Sequence, residues 1–229
     1  MNKQFENICK LNQTELKEYV TFKLLATHDD IHSFDGYVFA KGTFPVLLIA
    51  HLDTVHETVP TEFIYSSDGN EVSSPQGVGG DDRCGVYMIF EILKKVNCSV
   101  LFLEDEECGL VGAKKFIKTE LSKTLSFNYI IELDRKGYND AVFYNLNNPK
   151  FEKFITKRYF EKAYGTRSDI SEIAPFLNVA AVNLSCGYYY AHTKNEMVDL
   201  TEVETIISEV VNLLLSTKET DIFKYYESN

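Results

Sequence analysis

The chain has 229 residues, 45% of them hydrophobic, and a formal charge of -11. This length buries one substantial core, and the excess of acid excludes a surface built for nucleic acid or anionic membrane, which needs clustered Lys and Arg. Five cysteines without zinc-ribbon or disulfide-scaffold spacing read as reduced thiols; no stretch approaches the roughly 20 apolar residues of a membrane span, and the amino terminus lacks an apolar signal core, so a cytoplasmic location is expected.

Asn12 followed by Glu15 has the pattern of an N-cap and its capping-box partner, predicting a helix through Leu25. GYVFAKG alternates as a strand does, and FPVLLIA is continuously apolar, like a strand covered on both faces. TEFIYSSDGNEVSSP reads as a hairpin turning at Asp68, Gly69 and Asn70. A helix from Val86 to Val96 precedes the strand SVLFLE, and a short helix around VGAKKFIKT leads to the strand FNYIIELD. Beyond Arg135 the pattern predicts a strand at AVFYNL, a helix from Pro149 to about Phe160 and a strand at VAAVNLS. A last helix through Leu215 follows, opened by a capping box of Thr201 and Glu204. This alternation predicts an α/β fold: a single domain over residues 1–229, with a mostly parallel mixed sheet sandwiched between helices.

Three predicted strands end in chemistry. LLIA runs into His51 and Asp53, SVLFLE into Asp105, Glu106 and Glu107, and FNYIIE into Asp134. In open α/β sheets the ligand crevice lies beyond the carboxyl ends of the strands, so these groups should converge there. GVGGDDRCG, with Asp81 and Asp82, and YYYAHTKNE, with His192, should join them. Carboxylates packed this closely repel unless a cation lies between them, and a mixed His, Asp and Glu set suits zinc or a related transition metal better than calcium. With His51, Asp81, Glu107, Asp134 and His192 as ligands, a bridging Asp81 would give each of two ions three protein groups.

The ordered series H-L-D, G-G-D-D-R, D-E-E-C-G, E-L-D-R and A-H-T-K-N-E, spanning about Leu47 to Leu200, resembles the co-catalytic di-zinc exopeptidases. That group holds peptidase T, the aminoacylases and the single-domain bacterial aminopeptidases, with a phosphorylase/hydrolase-like fold. The resemblance implies that His51 and Asp134 bind one zinc, that Glu107 and His192 bind the other, and that Asp81 bridges them. Cobalt or manganese would serve as substitutes. It further implies that Asp53 orients His51, that Glu106 is the general base on a water shared by the metals, and that the Asp81–Asp82 peptide is cis.

The chain also departs from the pattern. Peptidase T carries a lid or dimerisation domain between the equivalents of Asp134 and His192, and the stretch here is too short to hold one. YGTRSDISEIAPF resembles the lidless aminopeptidases, in which a Tyr before the Ser-Asp pair stabilises the oxyanion, and Tyr164 is the candidate although its spacing is one residue longer. His28, His32 and His56 read as surface or loop residues, Cys84 and Cys108 as buried thiols, Tyr188 to Tyr190 as packing of the sheet edge and pocket wall, and Arg167 equally as a surface residue or a grip for a substrate carboxylate.

The expected activity is amide hydrolysis by an aminopeptidase or dipeptidase acting on small peptides. An N-acyl amino acid deacylase of the same fold and a non-catalytic, metal-keeping binding protein are the alternatives. An acidic rim favours a free α-amino group and repels a carboxylate unless Arg167 or Arg83 reaches it.

Overall fold

The computed structural model describes residues 2–227. Helices α1 (Asn2–Cys9) and α2 (Gln13–Leu24) lead into strands β1 (Asp30–Phe34), β2 (Tyr37–Lys41) and β3 (Phe44–His51). The short strands β4 (Ile64–Tyr65) and β5 (Glu71–Ser73) precede α3 (Gly80–Leu93), β6 (Cys98–Leu103), α4 (Val111–Phe116), α5 (Glu120–Thr124) and β7 (Tyr129–Arg135). Then come β8 (Asp140–Val142), α6 (Pro149–Ile155), β9 (Glu161–Ala163), α7 (Ile170–Leu177), β10 (Ala181–Ser185), β11 (Tyr188–Tyr189), β12 (Met197–Asp199) and α8 (Leu200–Ser216).

Eight strands form one mixed sheet in the order β1-β2-β6-β3-β7-β10-β8-β9. Its centre is parallel, β6 to β3 to β7 to β10, with antiparallel pairings at β1-β2, β2-β6 and β10-β8. The strand alternation decides the layers. Val46, Leu48 and Ala50 of β3 belong to the larger core with α1, α2, α3 and α8, whereas Leu47 and Ile49 join the smaller core with α4 and α7. Both faces are thus covered, which is why FPVLLIA is continuously apolar. A second, antiparallel sheet, β11-β12-β5-β4, pairs the predicted hairpin with strands from the His192 region.

The Asn12–Glu15 capping box is formed, with each residue bonded to the other's backbone N–H. The second expected box is not. Asp199 caps α8 instead, its side chain accepting from the N–H groups of Thr201 and Glu202, because it stands one residue before the helix and reaches the first-turn donors directly. Helix α6 stops at Ile155, short of Phe160, and α3 begins six residues before Val86. No helix among the described residues is long and apolar enough to cross a membrane.

Candidate active site

The strand ends converge as the topology requires. His51 closes β3, Glu106 and Glu107 follow β6 after a short turn, Asp134 lies near the end of β7, Asp81 sits at the start of α3, and His192 lies on the loop between β11 and β12. Gly85 lets α3 approach β7 this closely: a Cβ there would lie 1.9 Å from the Leu133 carbonyl oxygen. The Asp81–Asp82 peptide is cis.

Asp81 divides its two oxygens between two imidazoles. Its Oδ1 lies 3.0 Å from His51 Nε2 and its Oδ2 lies 3.1 Å from His192 Nε2. His51 Nε2 is also 3.3 Å from Asp134 Oδ1, and His192 Nε2 is 2.7 Å from Glu107 Oε1. Two donor sets result, His51 with Asp81 and Asp134, and His192 with Asp81 and Glu107, each within 4.8 Å throughout. The 2.7 to 3.3 Å separations approach the spacing of about 3.4 Å between ligand atoms that each lie about 2.1 Å from a tetrahedral ion. The mixed nitrogen and oxygen donors therefore fit zinc, and Asp81 is shared between the two sets.

Taken by themselves, the protein groups relieve their repulsion by protonation. Burial lowers the His51 pKa, but Asp134 together with hydrogen bonds to Asp53 and Asp81 overrides it and holds the imidazole well above its ordinary value. The Asp81 hydrogen bond, with the Glu107 charge beside it, raises His192 to about 9. Burial raises Asp134 to about 6 against the opposing His51 charge, while Asp81 is also buried yet held below the usual carboxylate range by hydrogen bonds from His192 and His51. The two imidazolium groups supply the positive charge the cluster needs, which is the role a divalent cation would take over.

Asp53 ties the parts together. Its carboxylate accepts from His51 Nδ1 at 3.1 Å and from the backbone N–H groups of Glu106 and Glu107 at 2.9 and 3.0 Å. It thus sets the His51 tautomer and the course of the loop carrying both glutamates. Glu106 reaches the cavity, and burial pushes its pKa up to about 7, with the His51 charge opposing. Asp82 is fully buried and accepts from the N–H groups of His51 and Gly85.

The surrounding cavity, of about 320 Å³, holds Asp81, Glu106, Glu107, Asp134 and His192 together. Tyr164 is not brought in. Its side chain is 87% exposed, and only its backbone carbonyl approaches the site, through Arg135, because the loop after β9 turns the ring to solvent. The cavity tyrosines are Tyr144, whose hydroxyl accepts from Asn183 Nδ2 at 3.0 Å, and Tyr188, whose hydroxyl donates to the Asp134 carbonyl. Tyr190 is 64% exposed.

Arg83 is no grip for a substrate. It is buried, with its guanidinium donating to the carbonyls of Leu52, Asp53 and Leu11, so it braces the loop after β3. His28 and His56 lie on loops, as read, but are not free at the surface: His28 is buried against the Cys98 carbonyl, and His56 bonds Glu196 Oε2 at 2.7 Å. Cys108 is exposed rather than buried, whereas Cys84 is buried.

Several supporting residues carried no sequence reading. Glu196, fully buried, accepts from the backbone N–H groups of Gly79 and Asp81. Glu132 and Ser168 are bonded to each other beside Asp134, and the Ser168 hydroxyl also lies 3.2 Å from Asp134 Oδ2. An acid inside the apolar run YIIEL and the terminal Glu of A-H-T-K-N-E were the available signals.

A family model, Peptidase family M28, matches residues 39–202. Among solved structures the chain is similar to an aminopeptidase PepT from Bacillus cereus, with a TM-score of 0.74 and 14% identity over 92% of this chain and 96% of that one. A tripeptidase from Staphylococcus aureus gives 0.72 and 14% over 92% and 95%. A putative Zn-dependent exopeptidase from Bacteroides vulgatus gives 0.61 and 17% over 94% of each. At these identities the likeness is one of fold. No curated protein matches the chain.

Proposed function

The chain belongs to peptidase family M28 and is a metallopeptidase, and from that premise we propose that it is a di-zinc aminopeptidase that removes amino-terminal residues from short peptides. The observation that carries this reading is Asp81, with one oxygen on the His51 and Asp134 set and the other on the His192 and Glu107 set. On this reading His51 and Asp134 would hold one ion, Glu107 and His192 would hold the second, and Asp81 would contribute to both. When bound, zinc polarises the scissile carbonyl and lowers the pKa of an attacking water to about 7.

The chain's own groups do the rest. Glu106 takes the proton of the attacking water and passes it to the leaving amine, and its burial beside the cluster favours accepting that proton. Asp53 keeps Glu106 in place by holding its backbone N–H, and fixes the His51 ring from the side away from Asp81. Tyr144, at the cavity wall with its hydroxyl accepting from Asn183, is the neutral donor able to meet an oxygen that gains charge during attack.

The test is a panel of free tripeptides, their N-acetyl forms and N-acetyl amino acids, each with zinc and with chelator. Zinc-dependent release of the amino-terminal residue from the free peptides is expected. Faster cleavage of the acetylated substrates would replace the aminopeptidase with a deacylase, and no turnover of any substrate would remove the catalytic reading.

A further inference from the structure

The cavity that holds the carboxylate cluster is lined by cations as well. Arg135, Lys136 and Arg167 line it together with Asp81, Glu106, Glu107 and Asp134. In a chain of formal charge -11, three cations lining one cavity need a reason. Two of them are partly neutralised: Arg135 Nε lies 3.2 Å from Asp140 Oδ2, and Arg167 is paired with Glu172. Lys136 is exposed and makes no ion pair among the described residues.

We infer that these cations receive a carboxylate of the substrate, so that the preferred peptides carry a negative charge on the leaving side of the scissile bond. The inference rests on the di-zinc aminopeptidase reading. Two divalent ions would balance the four carboxylates that line the cavity, leaving the field there to unpaired Lys136 and to what the ion pairs leave of Arg135 and Arg167. A carboxylate in that field gains charge-assisted hydrogen bonds from Lys136 and from guanidinium N–H groups, whereas a neutral amide gains only ordinary ones. The repulsion expected from an acidic rim is thereby reversed where the leaving group lies.

Size limits the substrate in the same direction. A cavity of about 320 Å³ stands at the low end of the roughly 300–1,000 Å³ common for small-ligand sites. A residue spans at most about 3.6 Å of extended chain, so a charge one or two residues beyond the scissile bond stays within the pocket's reach. Two sources fit this chemistry: the terminal carboxylate of a di- or tripeptide, and the side chain of Asp or Glu directly after the cleaved bond.

Steady-state kinetics of the zinc-loaded protein on two matched pairs test it: Leu-Gly-Gly against its carboxyl-terminal amide, and Leu-Glu-amide against Leu-Gln-amide. The charged member of at least one pair is expected to show a KM about tenfold lower than its neutral partner. That gap should collapse in a protein carrying both Lys136→Gln and Arg167→Gln, with the KM of the neutral peptides unchanged. A gap in the first pair alone assigns the terminal carboxylate, and a gap in the second alone assigns the acidic side chain. Equal KM values within both pairs, or a gap that survives the double substitution, would overturn the inference while the aminopeptidase reading stands. Failure to cleave all four peptides would overturn that reading and the inference with it.

Discussion

The Glu196 carboxylate accepts the backbone N–H of Asp81 at 3.1 Å, across 115 positions of sequence, and that of Gly79 at 2.8 Å. The segment bearing Asp81 is therefore held by the same segment that delivers His192, and the two halves of the site are fixed relative to each other.

Glu196→Ala leaves two N–H groups without an acceptor beside the cluster. Each costs about 1–3 kcal/mol when buried, and loss of such an outer support weakens metal binding by about 10- to 100-fold. Competition against a chromophoric chelator measures the zinc affinity, and denaturant unfolding the stability. Unchanged values for both would remove Glu196 from the site's support.

Asp53→Asn keeps the size but puts an amide where three N–H groups donate. The amide nitrogen cannot accept: in place of Oδ1 it leaves His51 Nδ1 and the Glu106 N–H without their acceptor, and in place of Oδ2 it leaves the Glu107 N–H without one. Zinc affinity should fall about 10- to 100-fold by calorimetric titration. An affinity equal to that of the unsubstituted protein would show that Asp53 does not orient the ligand.

Chelation should lower the melting temperature, because Asp81, Glu107 and Asp134 then face one another with only the imidazoles to separate them. At free zinc 100-fold above Kd the stabilisation is about 2.7 kcal/mol, or roughly 5–10 °C for a chain of this length. Calorimetric scans with chelator, zinc, cobalt and manganese measure it; identical transitions would argue against a metal site.

Asp169 is buried, and neither carboxylate oxygen has a hydrogen-bond partner. Burial, reinforced by the Glu106 charge, raises its pKa well above the ordinary value. A carboxyl whose folded pKa is raised contributes its stability fully below the unfolded pKa of about 3.9, and loses it as pH rises toward the folded value. In zinc-free protein, Asp169→Asn should therefore raise the melting temperature more at pH 8 than at pH 5. An equal change at both would place the Asp169 proton elsewhere.

Much of this was legible in the chain. LLIAH and SVLFLE announce central strands because both faces are covered, and their abrupt polar ends locate the crevice through topology alone. The short strands β9, β11 and β12 were not legible, since two or three residues carry too little periodicity and are held by tertiary pairing. Tyr164 shows the limit of spacing: the Ser-Asp pair beside it reaches the site, but the loop turns the ring outward and Tyr144 lines the cavity instead. Glu196 was hidden because two of its partners are backbone N–H groups, which leave no mark in the sequence, and the third, His56, stands 140 positions away.

If Glu106 moves the proton in zinc-dependent peptide hydrolysis, the kcat of zinc-loaded Glu106→Gln on a free tripeptide will report it. The substitution keeps the side-chain shape and removes the base, so kcat should fall by about 10²- to 10⁴-fold with KM and bound zinc nearly unchanged. A kcat equal to that of the unsubstituted protein, at equal zinc content, would contradict the account.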